Sequence, residues 1–417
     1  MAKVLILADD FTGALDTGVQ FAAKGVATQV VTNPNYNFDT VSEKIEVIVF
    51  DTETRHVSPD SAYEMVYRAA SLAKKIGIAY FYKKTDSALR GNIGAELTAL
   101  MDATGAKRLH FIPAFPRMGR ITQGGIQYVN SVPVAESIFG KDPFNPVVCS
   151  CVSEIIKQQS DRKTSNVKEG EKFPQQNGIF IYDVSTDENL KNIADSLAKR
   201  QELHFLAGCA GFASVLPALL NLEGAIPKIE KLPPHLLVIC GSVNPITVAQ
   251  LEEAEKAGAP RFRILPEQKL EPSWQQSSEA TSALNNWEKA CRKNEICILD
   301  TNDLPGTEDT SHYASAHNFP LEEVRVRISS NMGAMVEQLL ERDLNCTLMI
   351  TGGDTLLGVM NQIGVDQITP VGELITGVVL SRISFQGKEY PVISKSGGFG
   401  SQSLLIDLMK IIRKYGN

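Results

Sequence analysis

Short runs rich in Val, Ile and aromatic residues alternate with stretches of helical apolar spacing from the start of the chain. Lys3–Ala8, Thr28–Thr32, Ile45–Asp51, Ile78–Lys84 and Arg108–Ala114 read as strands. Between them Ala14–Lys24, Pro59–Lys75 and Gly91–Ala103 read as helices. The second has a cap in Ser58, Pro59 at its first position and Asp60 in its first turn. This alternation predicts a largely parallel sheet with helices on its faces.

After Pro146 the pattern loosens. Gln158–Gln176 is polar and Lys-rich and reads as an exposed loop, after which Gly178–Val184 and His204–Ala207 resume as strands. Ala225–Pro234 carries two successive prolines at its end and reads as a linker. A second series follows. His235–Gly241, Arg261–Leu265, Ile296–Asp300, Thr347–Thr351 and Val392–Lys395 read as strands. Ile246–Ala257, Met332–Arg342, Gly358–Ile363 and an amphipathic Ser401–Lys414 read as helices. The expected fold class is therefore α/β, with two α/β domains, each a largely parallel sheet flanked by helices. The boundaries fall at residues 1–225, a linker at 226–234 and residues 235–417.

Composition narrows the function classes. The 417 residues carry 41 Lys+Arg against 48 Asp+Glu, a formal net charge of −7, which argues against a general nucleic-acid or anionic-membrane binder. No apolar run is long enough to span a bilayer, and Asp9-Asp10 cut the first one too short for a signal peptide. Seven scattered cysteines, without metal or redox spacing, read as buried thiols in a reducing cytoplasm.

In open α/β sheets ligands bind beyond the carboxyl ends of the strands, so candidate chemistry is sought there. Asp9-Asp10-Phe11-Thr12-Gly13-Ala14 follows the first strand and opens a helix. One carboxylate could merely cap that helix; two beside Thr12 and Gly13 could hold a hydroxyl, bind Mg²⁺ or act as a base. Lys83-Lys84-Thr85-Asp86-Ser87-Ala88-Leu89-Arg90-Gly91 supplies cations and hydroxyls, although Lys and Arg are often plain surface charges. Arg55-His56 follows the third strand, and Pro113–Thr122 could lie as a loop over a site. Together these describe a pocket for a small anion bearing several hydroxyls.

The second domain has a different vocabulary. Gly241-Ser242-Val243-Asn244, Thr351-Gly352-Gly353-Asp354-Thr355 and Lys395-Ser396-Gly397-Gly398-Phe399-Gly400 all follow strands. Glycine loops of this kind let backbone N–H groups approach phosphate, with a helix dipole to help. Neither a P-loop, nor a Gly-x-Gly-x-x-Gly after a strand, nor a Gly-x-Ser-x-Gly elbow is present.

Ile6–Ala14, Lys84–Gly91 and Pro113–Pro116 resemble the N-terminal half of the four-carbon acid sugar kinases, which include D-threonate, D-erythronate and 3-oxo-tetronate kinases. Gly241–Val243, Thr351–Thr355 and Lys395–Gly400 resemble that family's C-terminal half. Thr376-Gly377-Val378-Val379 departs from the family's Pro-Gly-Val-Pro, and Ser401-Gln402-Ser403 lacks an Asp often found there. The resemblance implies a sugar-acid-binding domain, an ATP-binding domain, and a site in the cleft between them. Substrate contacts would fall on Asp9, Asp10, Arg55, Lys84, Thr85, Asp86, Ser87 and Arg90, with Asp10 or Asp9 catalytic. ATP contacts would fall on Ser242, Gly352, Gly353, Asp354, Thr355, Gly397, Gly398, Phe399 and Gly400. Mg²⁺ would be held mainly by phosphates with help from Asp354 or Asp86.

The expected reaction is transfer of the γ-phosphoryl of ATP to the 4-hydroxyl of D-threonate, or else of D-erythronate or a 3-oxo-tetronate. Partners would be small molecules only, with a homo-oligomer left open. A phosphatase is disfavoured because its Asp-x-Asp pattern needs a residue between the carboxylates. A non-enzymatic sugar-acid sensor is the remaining class, and it has no use for a second phosphate site.

Overall fold

The computed structural model describes residues 2–142, 145–168, 170–171, 175–222, 224–395 and 398–416. The chain forms two compact units, Met1–Pro227 and Lys228–Asn417.

The strands of the first unit are β1 (Val4–Ala8), β2 (Thr28–Val31), β3 (Val47–Asp51), β4 (Tyr80–Lys84), β5 (Arg108–Ile112), β6 (Arg120–Gln123), β7 (Ile126–Val129), β8 (Val132–Pro133), β9 (Thr164–Val167), β10 (Gly178–Tyr182) and β11 (Phe205–Gly208). Its helices are α1 (Phe11–Ala22), α2 (Pro59–Lys75), α3 (Ile93–Thr104), α4 (Val152–Lys157), α5 (Asp187–Lys199), α6 (Ala210–Ala213) and α7 (Leu216–Leu219). The main sheet runs β2-β3-β1-β4-β11-β5-β10-β9, every pair parallel. Such a sheet is covered on both faces, and β1 and β3 are accordingly buried along their whole length. Leu5, Leu7, Ile48, Phe81, Leu109, Phe111 and Ile181 form one core cluster. The chain leaves β1 toward β3 on one side and returns to β4 on the other. This reversal opens a crevice at the carboxyl ends of β1, β3 and β4.

A small antiparallel sheet, β6-β7-β8, begins at the end of the Pro113–Thr122 stretch read as a loop over the site and continues to Pro133. It is tied to the crevice by Gln127, whose Nε2 donates to the Ser87 carbonyl at 2.9 Å. The Lys-rich Gln158–Gln176 stretch is not simply a loop. Its Thr164–Val167 pairs with β10 as the sheet's edge strand, where polar residues are tolerated.

The second unit contains β12 (His235–Cys240), β13 (Arg261–Arg263), β14 (Ile296–Asp300), β15 (Cys346–Thr351), β16 (Gln367–Ile375), β17 (Val378–Phe385) and β18 (Lys388–Lys395). Its helices are α8 (Pro245–Lys256), α9 (Pro266–Leu270), α10 (Ser278–Lys293), α11 (Thr310–Ala316), α12 (Leu321–Leu340), α13 (Gly353–Gln362) and α14 (Leu404–Gly416). The order β13-β14-β12-β15-β18 is parallel, and β17 and β16 continue it antiparallel. Here the reversal lies between β12 and β15, the strands that are followed by Gly241 and Gly352.

Among the described residues no helix is long and apolar enough to cross a membrane. All seven cysteines are free, and five of them are buried.

Candidate active site

The crevice of the first unit is built around one guanidinium. Arg55, just beyond β3, reaches back to the end of β1. Its Nε donates to Asp9 Oδ2 at 2.8 Å and its Nη1 to Asp10 Oδ2 at 3.0 Å. Its Nη2 lies 2.7 Å from Asp9 Oδ2 and 2.6 Å from Asp10 Oδ1. Lys84, at the end of β4, places Nζ 3.6 Å from Asp9 Oδ1 and 3.9 Å from Asp10 Oδ1. Asp10 also caps α1, accepting from the Gly13 backbone at 3.1 Å. One carboxylate is thus both helix cap and site group. Gly13 leaves the space this requires, since a Cβ there would lie 2.2 Å from Lys84 Nζ and 2.4 Å from Asp10 Oδ1.

The electrostatics follow from burial set against charge. Desolvation would push the Asp9 carboxyl up, but Arg55, Lys84 and Lys83 outweigh it and hold the group below its ordinary value. Burial likewise disfavours the charged form of Lys84, yet Asp9 and Asp10 raise its pKa on balance. The same contest leaves Arg55 well above its usual value. Asp9 is 1% exposed, whereas the Asp10 side chain is 22% exposed, so Asp10 is the carboxylate a ligand can reach.

The remaining predicted substrate residues are present but already engaged. Arg90 holds Asp86 with Nε at 2.7 Å and Nη2 at 3.2 Å, and gives Nη1 to Asp142 at 3.1 Å. Burial works against the Asp86 carboxylate, but Arg90 and Arg55 drive its pKa far down. The Thr85 backbone N–H donates to the Gly208 carbonyl at 2.8 Å, and the Ser87 carbonyl receives Gln127.

Sequence reasoning did not single out the layer behind the site. Alternation along β4 sends Lys83 to the face opposite Lys84. There it meets Glu96 of α3 at 3.1 Å, both side chains wholly buried. Lys83 also donates to the Leu7 carbonyl at 3.1 Å, and the Thr54 hydroxyl donates to Glu96. This buried pair joins the ends of β1, β3 and β4. The adjacent Lys83-Lys84 was the only signal for it.

In the second unit the glycine loops follow β12, β15 and β18. Gly352 has φ +98 and caps α13, whose first residue is Gly353. A Cβ on Gly241 would lie 1.7 Å from Thr355 Oγ1, so these two loops pack backbone against side chain. Ser242 Oγ accepts from the Asn244 backbone at 3.3 Å. Asp354 lies in the first turn of α13, half-exposed, 3.6 Å from Arg325 Nη1. Phe399 sits against Gly377, Gly400 has φ +86, and Gly398 lies 4.0 Å, measured from a Cβ built there, from Asn244 Nδ2. Gly397 lies outside the described residues.

Two residues here were not foreseen as site groups. Gln250 of α8 donates to the Phe399 and Ser401 carbonyls, both at 2.9 Å, and so clamps the last glycine loop. Lys395 closes β18, 2% exposed, with Nζ donating to Thr247 Oγ1 at 2.9 Å. Burial pulls its pKa down to about 8.

Among the described residues no group of three or more His, Cys, Asp or Glu could hold a metal ion. Of the two carboxylates considered for Mg²⁺, Asp86 is held by Arg90 at 2.7 Å, while Asp354, with Arg325 at 3.6 Å, is the more exposed and more loosely paired.

Residues 4–216 match the family model of a sugar-binding N-terminal domain, and residues 237–405 that of a nucleotide-binding C-terminal domain. The chain is 30% identical to a D-threonate kinase of Salmonella typhimurium over 99% of both chains. It is 28% identical to a D-erythronate kinase of Heliobacterium modesticaldum, over 96% of this chain and 95% of that one. It is 23% identical to a 3-oxo-tetronate kinase of Brucella melitensis, over 99% and 96%. A Haemophilus influenzae crystal structure shares the fold with a TM-score of 0.73 at 21% identity, covering 99% of this chain and all of that one. With both domain models matched in order and relatives aligned end to end, the chain belongs to the four-carbon acid sugar kinase family.

Proposed function

We propose that this protein transfers the γ-phosphoryl group of ATP to the 4-hydroxyl of a four-carbon sugar acid, D-threonate in the first place. D-erythronate and 3-oxo-tetronates are the alternative acceptors. The observation that carries the reading is the Asp9–Asp10 pair gripped by Arg55 and Lys84 at the carboxyl ends of a parallel sheet. D-threonate ranks first because the relative at 30% identity over 99% of both chains is a kinase of that acid.

In this reading Asp10 accepts the hydrogen bond of the attacking hydroxyl and aims its oxygen. Asp9 is buried and held ionised, which makes it a poor base and a good anchor. It fixes Arg55 and Lys84, and so the position of Asp10. Phosphoryl transfer needs little covalent help, so orientation and charge balance supply most of the rate. In the second unit Gly352, Gly353 and the following turn of α13 offer backbone N–H groups to the nucleotide phosphates, as do Gly398 to Gly400. Ser242, Thr355 and Phe399 frame them. Asp354 would hold Mg²⁺ accompanying the phosphates, which neutralises charge there. Seven free thiols suit a reducing compartment such as the cytoplasm.

The test is ADP formation with D-threonate, D-erythronate and 3-oxo-tetronates, each supplied separately with ATP and Mg²⁺. Turnover with at least one supports the reading. Turnover with none ends it.

A further inference from the structure

If the cations nearest Asp9 and Asp86 are already neutralised, a different group must receive the carboxylate of an acid substrate. Arg55 is shared between Asp9 and Asp10, and Arg90 between Asp86 and Asp142. Arg120 is differently placed. It opens β6 after a tight turn over Pro116–Gly119, where Phe115 and Arg120 exchange backbone hydrogen bonds of 2.7 and 3.1 Å. Its Nη1 donates to the Met118 carbonyl. Its Nε is buried and, among the described residues, has no hydrogen-bond partner. A buried donor left unmade is costly unless a ligand completes it.

Arg120 lies beside the Arg90–Asp86 pair of the crevice, sharing the Phe139 ring with Arg90. The titratable groups within its electrostatic reach are Asp86, Cys209 and Arg90. Both arginines lie over the Phe139 ring, Arg90 at 5.0 Å and Arg120 at 5.8 Å from its centroid. The Asp86 carboxylate beside Arg120 is already held by Arg90, so a planar monoanion from the substrate would supply the acceptor that Arg120 Nε lacks. The guanidinium edge that carries Nε also matches a carboxylate in two-point contact.

We propose that Arg120 binds the carboxylate of the four-carbon acid, with Phe139 and the Arg90–Asp86 pair forming the wall beside it. The inference rests on the kinase reading above, in that it takes the acid as the ligand. It also separates roles within the site: Arg55 and Lys84 serve the carboxylate pair, and Arg120 serves the substrate's acid end.

The test compares wild type with R120M and R120K, using D-threonate and its neutral analogue D-threonamide. Binding is measured by calorimetry without nucleotide, and turnover with ATP. The expected result for R120M is a roughly 10- to 100-fold rise in Kd and KM for the acid. Binding of the amide should change little, so the wild-type preference for acid over amide collapses. R120K, which keeps the charge but loses the fork, should fall between the two, and it carries the test should R120M not fold. An unchanged acid KM and an unchanged acid-to-amide preference in R120M, or in R120K if R120M does not fold, would overturn the role of Arg120. Wild-type binding of the acid without any turnover would instead overturn the kinase reading and leave Arg120 to be judged by binding alone. Wild type that binds no four-carbon acid would overturn both.

Discussion

Arg55 and Asp9 are joined through a single oxygen: Nε at 2.8 Å and Nη2 at 2.7 Å both meet Asp9 Oδ2. The same guanidinium reaches Asp10, so one side chain from the end of β3 sets the geometry of two carboxylates at the end of β1. Removing it exposes what the arrangement is worth.

Arg55→Gln leaves Asp9, 1% exposed, as a buried charge with only Lys84 and Lys83 to offset it. Breaking such a pair costs about 3–5 kcal/mol. Urea denaturation of the variant should show that loss, together with at least a 100-fold fall in kcat/KM. A stable and active R55Q would contradict the account.

Asp10 and Asp9 should separate by kind of damage. Asp10→Asn should lower kcat by about 10²–10⁴ with a modest change in KM and little change in stability, as for a group acting on the reacting hydroxyl. Asp9→Asn should reduce both stability and kcat/KM, because it removes the anchor of Arg55 and Lys84. Steady-state kinetics alongside melting curves distinguish the two patterns. Equal kcat losses without loss of stability in D9N would count against the anchor role.

Gly13→Ala ought to raise helix propensity by about 1 kcal/mol in an ordinary helix. Here the new methyl falls on Lys84 Nζ and Asp10 Oδ1. Both are movable side-chain ends, so the melting temperature should change little while kcat/KM drops by roughly 10-fold or more. Activity at the wild-type level would show that the site tolerates displacement of both groups.

Two buried groups give pH signatures of the same sign in different windows, because both are held below their unfolded pKa and stability rises with pH through each window. Asp9 is held below its unfolded value, so its stabilisation is complete above the ordinary carboxylate range, about pH 4, and drains away as pH falls further. Lys395 has a folded pKa of about 8, below that of an unfolded lysine. The unfolded state therefore binds more protons between pH 8 and roughly 10.4, and stability contributed at this site rises across that window. Urea midpoints of wild type relative to Lys395→Met should climb over that window. A flat difference would place Lys395 in a more solvated setting.

Much of this site could be read from the chain because its parts sit at strand ends. Asp9-Asp10, Arg55 and Lys84 each follow a buried apolar run, and a parallel sheet collects such positions at one edge. Their pairing could not be read. Asp142 meets Arg90 from 52 residues away, and nothing local marks that contact. Arg120 lay in a stretch whose prolines and glycine mask a strand. The antiparallel β16 was missed for a similar reason. Pro370 and Gly372 interrupt it, and only one of its faces is consistently buried. Helix α10 is not among the predicted helices, because just Ala280, Leu284, Trp287 and Cys291 face the core along its sixteen residues.

The central claim is most directly tested by the product. After incubation with ATP, Mg²⁺ and D-threonate, ³¹P and ¹³C NMR should show a phosphate monoester on C4 formed in step with ADP, and Asp10→Asn should slow its formation by about 10²–10⁴. ADP released only with free inorganic phosphate, or an ester on another carbon, would contradict the account.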